Sequence, residues 1–460
     1  MTQEGSQSRR FVIASGMAFV VVFVTRALAF PHSWWLGVEP LLGMAVGAPD
    51  PASGIPPSPG FPLYLDLARL LMIKAETPFV ALVVAAFLSS AAGALLLAAA
   101  LRRTMRDAVG GALASLMLFM TPAMLVFSST PAPEASALMF YAVAVYAAGR
   151  IVDGETTGRR DATILGAASA CVIGCQPEWV LAAALVAVSP LIRKETRRLS
   201  AVSVAIAGAV LVLVFMPFAK ALGGEAALLR WLAERPAAGE GLAIALLNQA
   251  GPLWLSIPIA LIALVGAWYA VRARERRLLL VAGPAVAHLA FVALRGSARE
   301  VVLAVVPISV ALIALCVRGM SALSTRSGQP LLRIAIVAAY SLASWIWTAP
   351  LLRARLNVAP PPSKAAIWID DHLADEPGAV VLVAEELRPH ASALITKARI
   401  ADLAAVATEG ARARYALVAG ESSEAGAVVF SWPDSAPLRL LANSRLRVVS
   451  VVPLRPPGNL

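Results

Sequence analysis

The chain has 460 residues, of which 59% are hydrophobic and 15% charged, with a mean hydropathy of +0.76. Soluble globular domains carry about 25% charged residues, so too little polar surface remains to face water. Collagen-like, disordered and disulfide-scaffold classes are excluded on the same ground. The net charge of +11 and pI of about 10.2 come from arginine-rich loops between apolar runs. No basic domain with interleaved aromatics points to nucleic acid. The composition is that of an α-helical polytopic membrane protein.

An apolar run of about 18 residues can cross a hydrocarbon core about 30 Å thick. Runs near or above that length predict spans over 11–30, 78–101, 108–128, 199–218, 253–271, 278–294, 301–317 and 332–349, with a shorter one over 135–148. Between 163 and 192, Gln176-Pro177-Glu178-Trp179 splits two short apolar stretches, read as helices that dip in and return. The total is about eleven transmembrane helices. The first run is too long for a cleaved signal peptide and contains Arg26. An arginine there needs a partner, and Glu134 and Glu178 are candidates.

With the N-terminus inside, 19 Lys and Arg fall in the inner loops and seven in the outer ones. That asymmetry predicts a cytoplasmic N-terminus and an outer C-terminus. Two outer segments exceed what a connection requires, and long ordered loops are usually functional. Residues 31–77 are rich in Pro and Gly and carry Trp34, Trp35, Glu39 and Asp50; residues 220–249 are amphipathic around Leu228, Arg230 and Trp231, as in a helix lying in the membrane interface. After Arg355 come Pro360-Pro361-Pro362 and short β-branched runs at 379–383, 415–418, 428–430 and 446–452, with helical stretches at 365–373 and 389–400. This pattern predicts a transmembrane domain over 1–355 and a small extracytoplasmic α/β domain over 356–460.

Single residues must be weighed against ordinary roles. Cys171, Cys175 and Cys316 lie in apolar segments without ligand company and read as small core hydrophobes. His288, inside a span, reads as a core histidine, and Asp370-Asp371-His372 as the solvated end of a helix rather than a metal site. Glu39 follows the first span closely between Trp34-Trp35 and Pro40. A carboxylate withdrawn from water at that depth can act as a general base, or it can be a hydrated loop acid beside an aromatic belt.

Gly54-Ile55-Pro56-Pro57-Ser58-Pro59-Gly60-Phe61-Pro62-Leu63-Tyr64 resembles the Pro-Gly signature that closes the first outer loop of bacterial protein O-mannosyltransferase-like glycosyltransferases of the GT-C class. Ser89-Ser90-Ala91-Ala92-Gly93-Ala94, Thr121-Pro122 with Pro133-Glu134 and Tyr141, and Gly174-Cys175-Gln176-Pro177 resemble further family positions in order. Pro57 stands where the family has His, and Gln176 where it often has another.

The resemblance implies sugar transfer from a polyprenyl-phosphate donor to an envelope acceptor (protein, lipid or glycan) on the periplasmic face of a bacterial inner membrane. Its general base would be Glu39, with Asp50 as second choice. It implies that Arg230, Arg295 and Arg299 attend the leaving phosphate, although arginines at span ends also snorkel to lipid phosphates. Glu134, Gln176 and Tyr64 complete the candidate substrate contacts. A divalent metal is the one cofactor left open. Two rivals remain: a non-catalytic subunit of an envelope complex, and a transporter, which the absence of an internal repeat disfavours.

Overall fold

The computed structural model describes residues 3–35, 39–50, 55–56, 60–155, 158–233, 252–295, 306–327, 331–357, 359–373, 376, 378–405, 413–431 and 448–454. In chain order the helices are α1 (Gln3–Ala27), α2 (Glu39–Gly47), α3 (Pro62–Leu71), α4 (Pro78–Met105), α5 (Ala108–Phe119), α6 (Pro122–Phe127), α7 (Glu134–Val152), α8 (Arg159–Cys175) and α9 (Val180–Val188). They continue with α10 (Arg197–Ala221), α11 (Glu225–Ala233), α12 (Leu253–Arg272), α13 (Leu279–Arg295), α14 (Val306–Ser327), α15 (Leu332–Asn357), α16 (Pro361–His372) and α17 (Arg388–Leu394). Among the described residues, seven helical stretches are long and apolar enough to cross a membrane, and three shorter apolar ones accompany them. The chain is a multi-pass membrane protein with a small C-terminal sheet. It forms two compact units: Met1–Leu28, Ser58–Lys74 and Ala81–Thr348, and then Ala29–Pro57, Ala75–Val80 and Ala349–Leu460.

The first unit is a helical bundle. Residues 108–128, expected as one span, form two helices, because Pro122 has no amide N–H and cannot continue α5. Thr121 instead caps α6 by accepting from the Met124 amide at 3.3 Å. The buried Arg26 reaches acceptors on either side of this break. Its guanidinium donates to the carbonyls of Phe119 and Met124 and to Ser128 Oγ at 2.9 Å. Neither Glu134 nor Glu178 is its partner, which corrects the expectation: a helix break supplies acceptors without burying a second charge.

The Gln176-Pro177 split between α8 and α9 stands as read, with a short 3₁₀ turn at Pro177–Trp179. Elsewhere small residues set the packing. α12 crosses α14 at Gly266 and Gly319, where a Cβ on Gly266 would collide with the Leu315 carbonyl and one on Gly319 with the Ile262 carbonyl. Backbones meet directly there, as small residues allow between helices in lipid.

The second unit contains a five-stranded mixed sheet: β1 (Val380–Val383), β2 (Arg399–Asp402), β3 (Ala413–Ala419), β4 (Val428–Ser431) and β5 (Val448–Pro453), in the order β2-β1-β3-β5-β4. β1 runs parallel to β2 and β3, and β5 runs antiparallel to β3 and β4. The fully buried β1 feeds two cores. Val381 and Val383 join Ile369, Leu387 and Val451 on one face; Val380 and Leu382 join Ala416 and Val452 on the other. Burial on both faces explains its unbroken apolar run.

The helix expected over 389–400 stops at Leu394, and β2 follows. The Asp370 carboxylate causes this by accepting the amide protons of Thr396 and Lys397 at 2.6 and 2.9 Å, which draws those groups out of a helical ladder. Asp370 is thereby a structural brace. His372 folds back on its own helix, stacked on Trp368 at 3.7 Å with Nδ1 2.8 Å from the Trp368 carbonyl.

Gly266→Ala is expected to separate α12 from α14 at a cost of about 1–3 kcal/mol and to lower Tm by several degrees. Gly208→Ala on α10, where a Cβ meets nothing within 4 Å, should leave Tm unchanged. Thermal unfolding of both variants in the same detergent checks the difference.

Candidate functional site

Helix α2 opens on Glu39 and Pro40. A carboxylate in the first turn complements the helix dipole, and proline early in a helix removes an amide that would otherwise want a partner. Glu39 is completely buried, and its carboxylate accepts the Trp35 amide proton. Arg355, near the end of α15 and equally buried, lies within Coulombic reach of Glu39, and its guanidinium carbon stands 5.5 Å from the Trp35 ring centroid. A buried acid without a cation would cost several kcal/mol. Here the charges offset one another.

Aromatic groups build the wall around this pair. The Trp34 indole lies over Gly43 of α2 so closely that a Cβ there would strike the ring. Its ring also meets Phe79 edge-on at 4.8 Å, while its carbonyl accepts from Ser363 Oγ of α16 at 3.2 Å. On another side α17 packs against α2. It carries His390, fully buried, with both ring nitrogens lacking a hydrogen-bond partner among the described residues. Burial pushes the imidazole pKa down to about 4, so it is neutral at pH 7.

The remaining candidates stand as follows. Asp50 is exposed, and its backbone closes a two-residue bridge with Ile55, at 2.9 Å from the Ile55 amide to the Asp50 carbonyl. Tyr64, Glu134 and Gln176 belong to the first unit and are all fully buried. The Tyr64 hydroxyl donates to the Leu82 carbonyl at 2.9 Å, Glu134 starts α7, and the Gln176 amide donates to Glu178 at 3.3 Å. A Cβ on Gly174 would stand 3.0 Å from Leu63 Cβ, so the end of the Pro-Gly signature packs on the Gly-Cys-Gln-Pro turn. Arg230 is exposed on α11, Arg295 ends α13, and Arg299 lies outside the described residues, as does most of the signature from Gly54 to Pro59.

The residues around Glu39 do not fit a divalent metal. A guanidinium is the neighbouring group, and among the described residues no three His, Cys, Asp or Glu side chains converge. The sequence reading missed Arg355 and His390. A charged residue six positions past the expected end of the last span, beyond Pro350, was the available signal for Arg355. His390 carried none, since one imidazole in a short polar-looking helix does not announce its burial.

No protein-family model and no curated protein matches the sequence. Solved structures do. ArnT from Cupriavidus metallidurans bound to undecaprenyl phosphate matches at a TM-score of 0.57 and 16% identity, over 97% of this chain and 98% of that one. The oligosaccharyltransferase AglB from Archaeoglobus fulgidus, in complex with an inhibitory peptide and a dolichol-phosphate, matches at 0.51 and 10%, over 88% and 69%. The mycobacterial arabinofuranosyltransferase AftD matches at 0.51 and 14%, over 96% of this chain and 41% of that one. The likeness is one of fold.

Because His390 binds a proton far less readily when folded than its ordinary value of 6.5 allows, the unfolded chain holds more protons below about pH 6.5 and stability falls with pH from there toward about 4. His390→Leu should flatten that part of the profile. Unfolding midpoints of wild type and variant from pH 7.5 to 4.5 check this; parallel curves would remove His390 as the cause. This chain therefore shares the fold of ArnT, AglB and AftD, with a buried carboxylate at the start of α2 and a buried arginine near the end of α15.

Proposed function

We propose that the protein transfers a sugar from a polyprenyl-phosphate-linked donor to an envelope acceptor on the periplasmic face of a bacterial inner membrane. The observation that carries this reading is the buried Glu39 in the loop after the first membrane helix, in a fold matched over nearly its whole length by ArnT bound to undecaprenyl phosphate. In this reading about eleven helices span the membrane, the N-terminus is cytoplasmic, and residues 356–460 form a periplasmic α/β domain. The acceptor is a hydroxyl of a protein, lipid or glycan.

Glu39 accepts the proton of the attacking hydroxyl as its oxygen bonds to the anomeric carbon. The bond from that carbon to the phosphate oxygen breaks, and polyprenyl phosphate departs with the electron pair. Arg355 keeps Glu39 ionised and therefore able to take the proton, and Asp50 is the second candidate for that role. Arg230, Arg295 and Arg299 are proposed for the developing phosphate charge, because a guanidinium presents forked donors to phosphate oxygens. Glu134, Gln176 and Tyr64 are proposed substrate contacts. The rival reading, a non-catalytic subunit, draws support from Pro57 and Gln176, which stand at positions where the resembled family carries histidine.

The test uses the full chain in liposomes with a panel of polyprenyl-phosphate sugars, reading release of polyprenyl phosphate. Glu39→Gln should lower turnover about 10²–10⁴-fold while donor binding, followed by native mass spectrometry, persists. Since Gln leaves Arg355 without its counter-charge, Glu39→Asp is measured beside it and should retain turnover between the two. Unchanged turnover in Glu39→Gln sinks Glu39 as the base. Absence of release from every donor by the wild type favours the non-catalytic subunit.

A further inference from the structure

A second polar feature lies within the first unit, at the ends of helices that the sequence reading places on the cytoplasmic side. The turn between α4 and α5, the turn between α12 and α13, the end of α14 and the start of α15 enclose a cavity of about 930 Å³. Its volume falls within the range of small-ligand sites, about 300–1,000 Å³. Five arginines line it, Arg106, Arg274, Arg277, Arg318 and Arg333, against two carboxylates, Asp107 and Glu275.

The carboxylates are already engaged. Glu275 takes Arg318 in a forked contact, with Nε 2.9 Å from one oxygen and 3.1 Å from the other. Asp107 caps α5 through the amides of Val109 and Gly110, at 3.1 and 2.9 Å, and pairs with Arg333. Arg277 is held from outside the cavity lining by Asp153 at 2.7 Å. Arg106 and Arg274 have no ion pair among the described residues, and both are exposed. The cavity therefore presents two uncompensated guanidinium groups, and Ser321, Ser324 and Thr325 add hydroxyls.

The backbone singles out the same two residues. Arg106 and Arg274 both adopt φ of +52°, one in each turn; among the described residues they are the non-glycine positions with positive φ. Glycine takes this conformation without steric cost, and a side chain does not. Both residues close their helices in the left-handed conformation that commonly ends a helix, and this places the same long cation at each turn.

We propose that this cavity binds a phosphate-bearing anion, with Arg106 and Arg274 as its principal contacts. Each forked guanidinium matches phosphate oxygens, and the two stand at the same cavity, where one anion can meet both. Basic pockets between membrane helices on the cytoplasmic side are where anionic lipid headgroups dock. A soluble diphosphate offers the same chemistry, so the source is decided by experiment. The site is independent of the sugar-transfer reading.

The full chain is purified in neutral detergent and titrated separately with cardiolipin, followed by native mass spectrometry, and with inorganic pyrophosphate, followed by thermal shift. Wild type should bind at least one of them. The double variant Arg106→Ala/Arg274→Ala should weaken that binding about tenfold or more. Arg197→Ala/Arg198→Ala, which removes two exposed arginines from a different loop, should stay within about twofold of wild type. Retention of cardiolipin alone identifies a lipid headgroup as the ligand, and a pyrophosphate response alone identifies a soluble one. Binding of neither by wild type, or equal loss in both double variants, overturns the site.

Discussion

A charge withdrawn from water must meet a partner, and in this chain that requirement governs where function can sit. Arg26 and Glu39 lie on either side in sequence of the connection after α1, both fully buried, and they are compensated in different ways. Arg26 is surrounded by carbonyls and a hydroxyl on either side of the break at Pro122. Glu39 meets a backbone amide and a second full charge, Arg355. The first arrangement uses neutral dipoles and locks α1 to α5 and α6. The second brings an acidic and a basic side chain together out of water.

The same requirement organises the opposite kind of surface. Loop arginines are tied across helix ends by carboxylates: Arg103 to Asp153 at 3.1 Å, Arg277 to the same Asp153 at 2.7 Å, and Arg103 to Glu155 at 2.6 Å. The Arg103 hydrogen bond is the chief favourable influence holding the exposed Glu155 carboxyl below its usual range. Individually such pairs contribute little at an exposed surface. As a network they join several loops, and Arg106 and Arg274, left over at two helix-ending turns, stand apart by contrast.

Rigid helices with small residues at their crossings hold these groups in place. Gly266 and Gly319 bring two backbones into contact, which in lipid substitutes for the hydrophobic drive available to soluble cores. Buried polar residues then collect at helix starts and breaks: Glu39 and Glu134 at first turns, Gln176 where α8 gives way to Pro177. Prolines and glycines thus decide where polar side chains can approach without breaking a helical ladder.

Apolar runs, arginine placement and the change of texture after Arg355 were legible because each is a local property of consecutive residues. They yielded the membrane class, nearly every long helix and four of the five strands. β2 escaped because Arg399–Asp402 is a four-residue edge strand whose start depends on Asp370, 26 residues upstream of Thr396. The partners of Arg26 escaped for a related reason, since its acceptors lie 93 to 102 residues away and two of them are backbone carbonyls that no side chain advertises. Glu39 was legible as a candidate from its aromatic neighbours. That it is fully buried and within Coulombic reach of Arg355, on a helix packed by the one that carries His390, was decided by tertiary structure alone, because burial and charge pairing are relations between distant segments and not properties of any one of them.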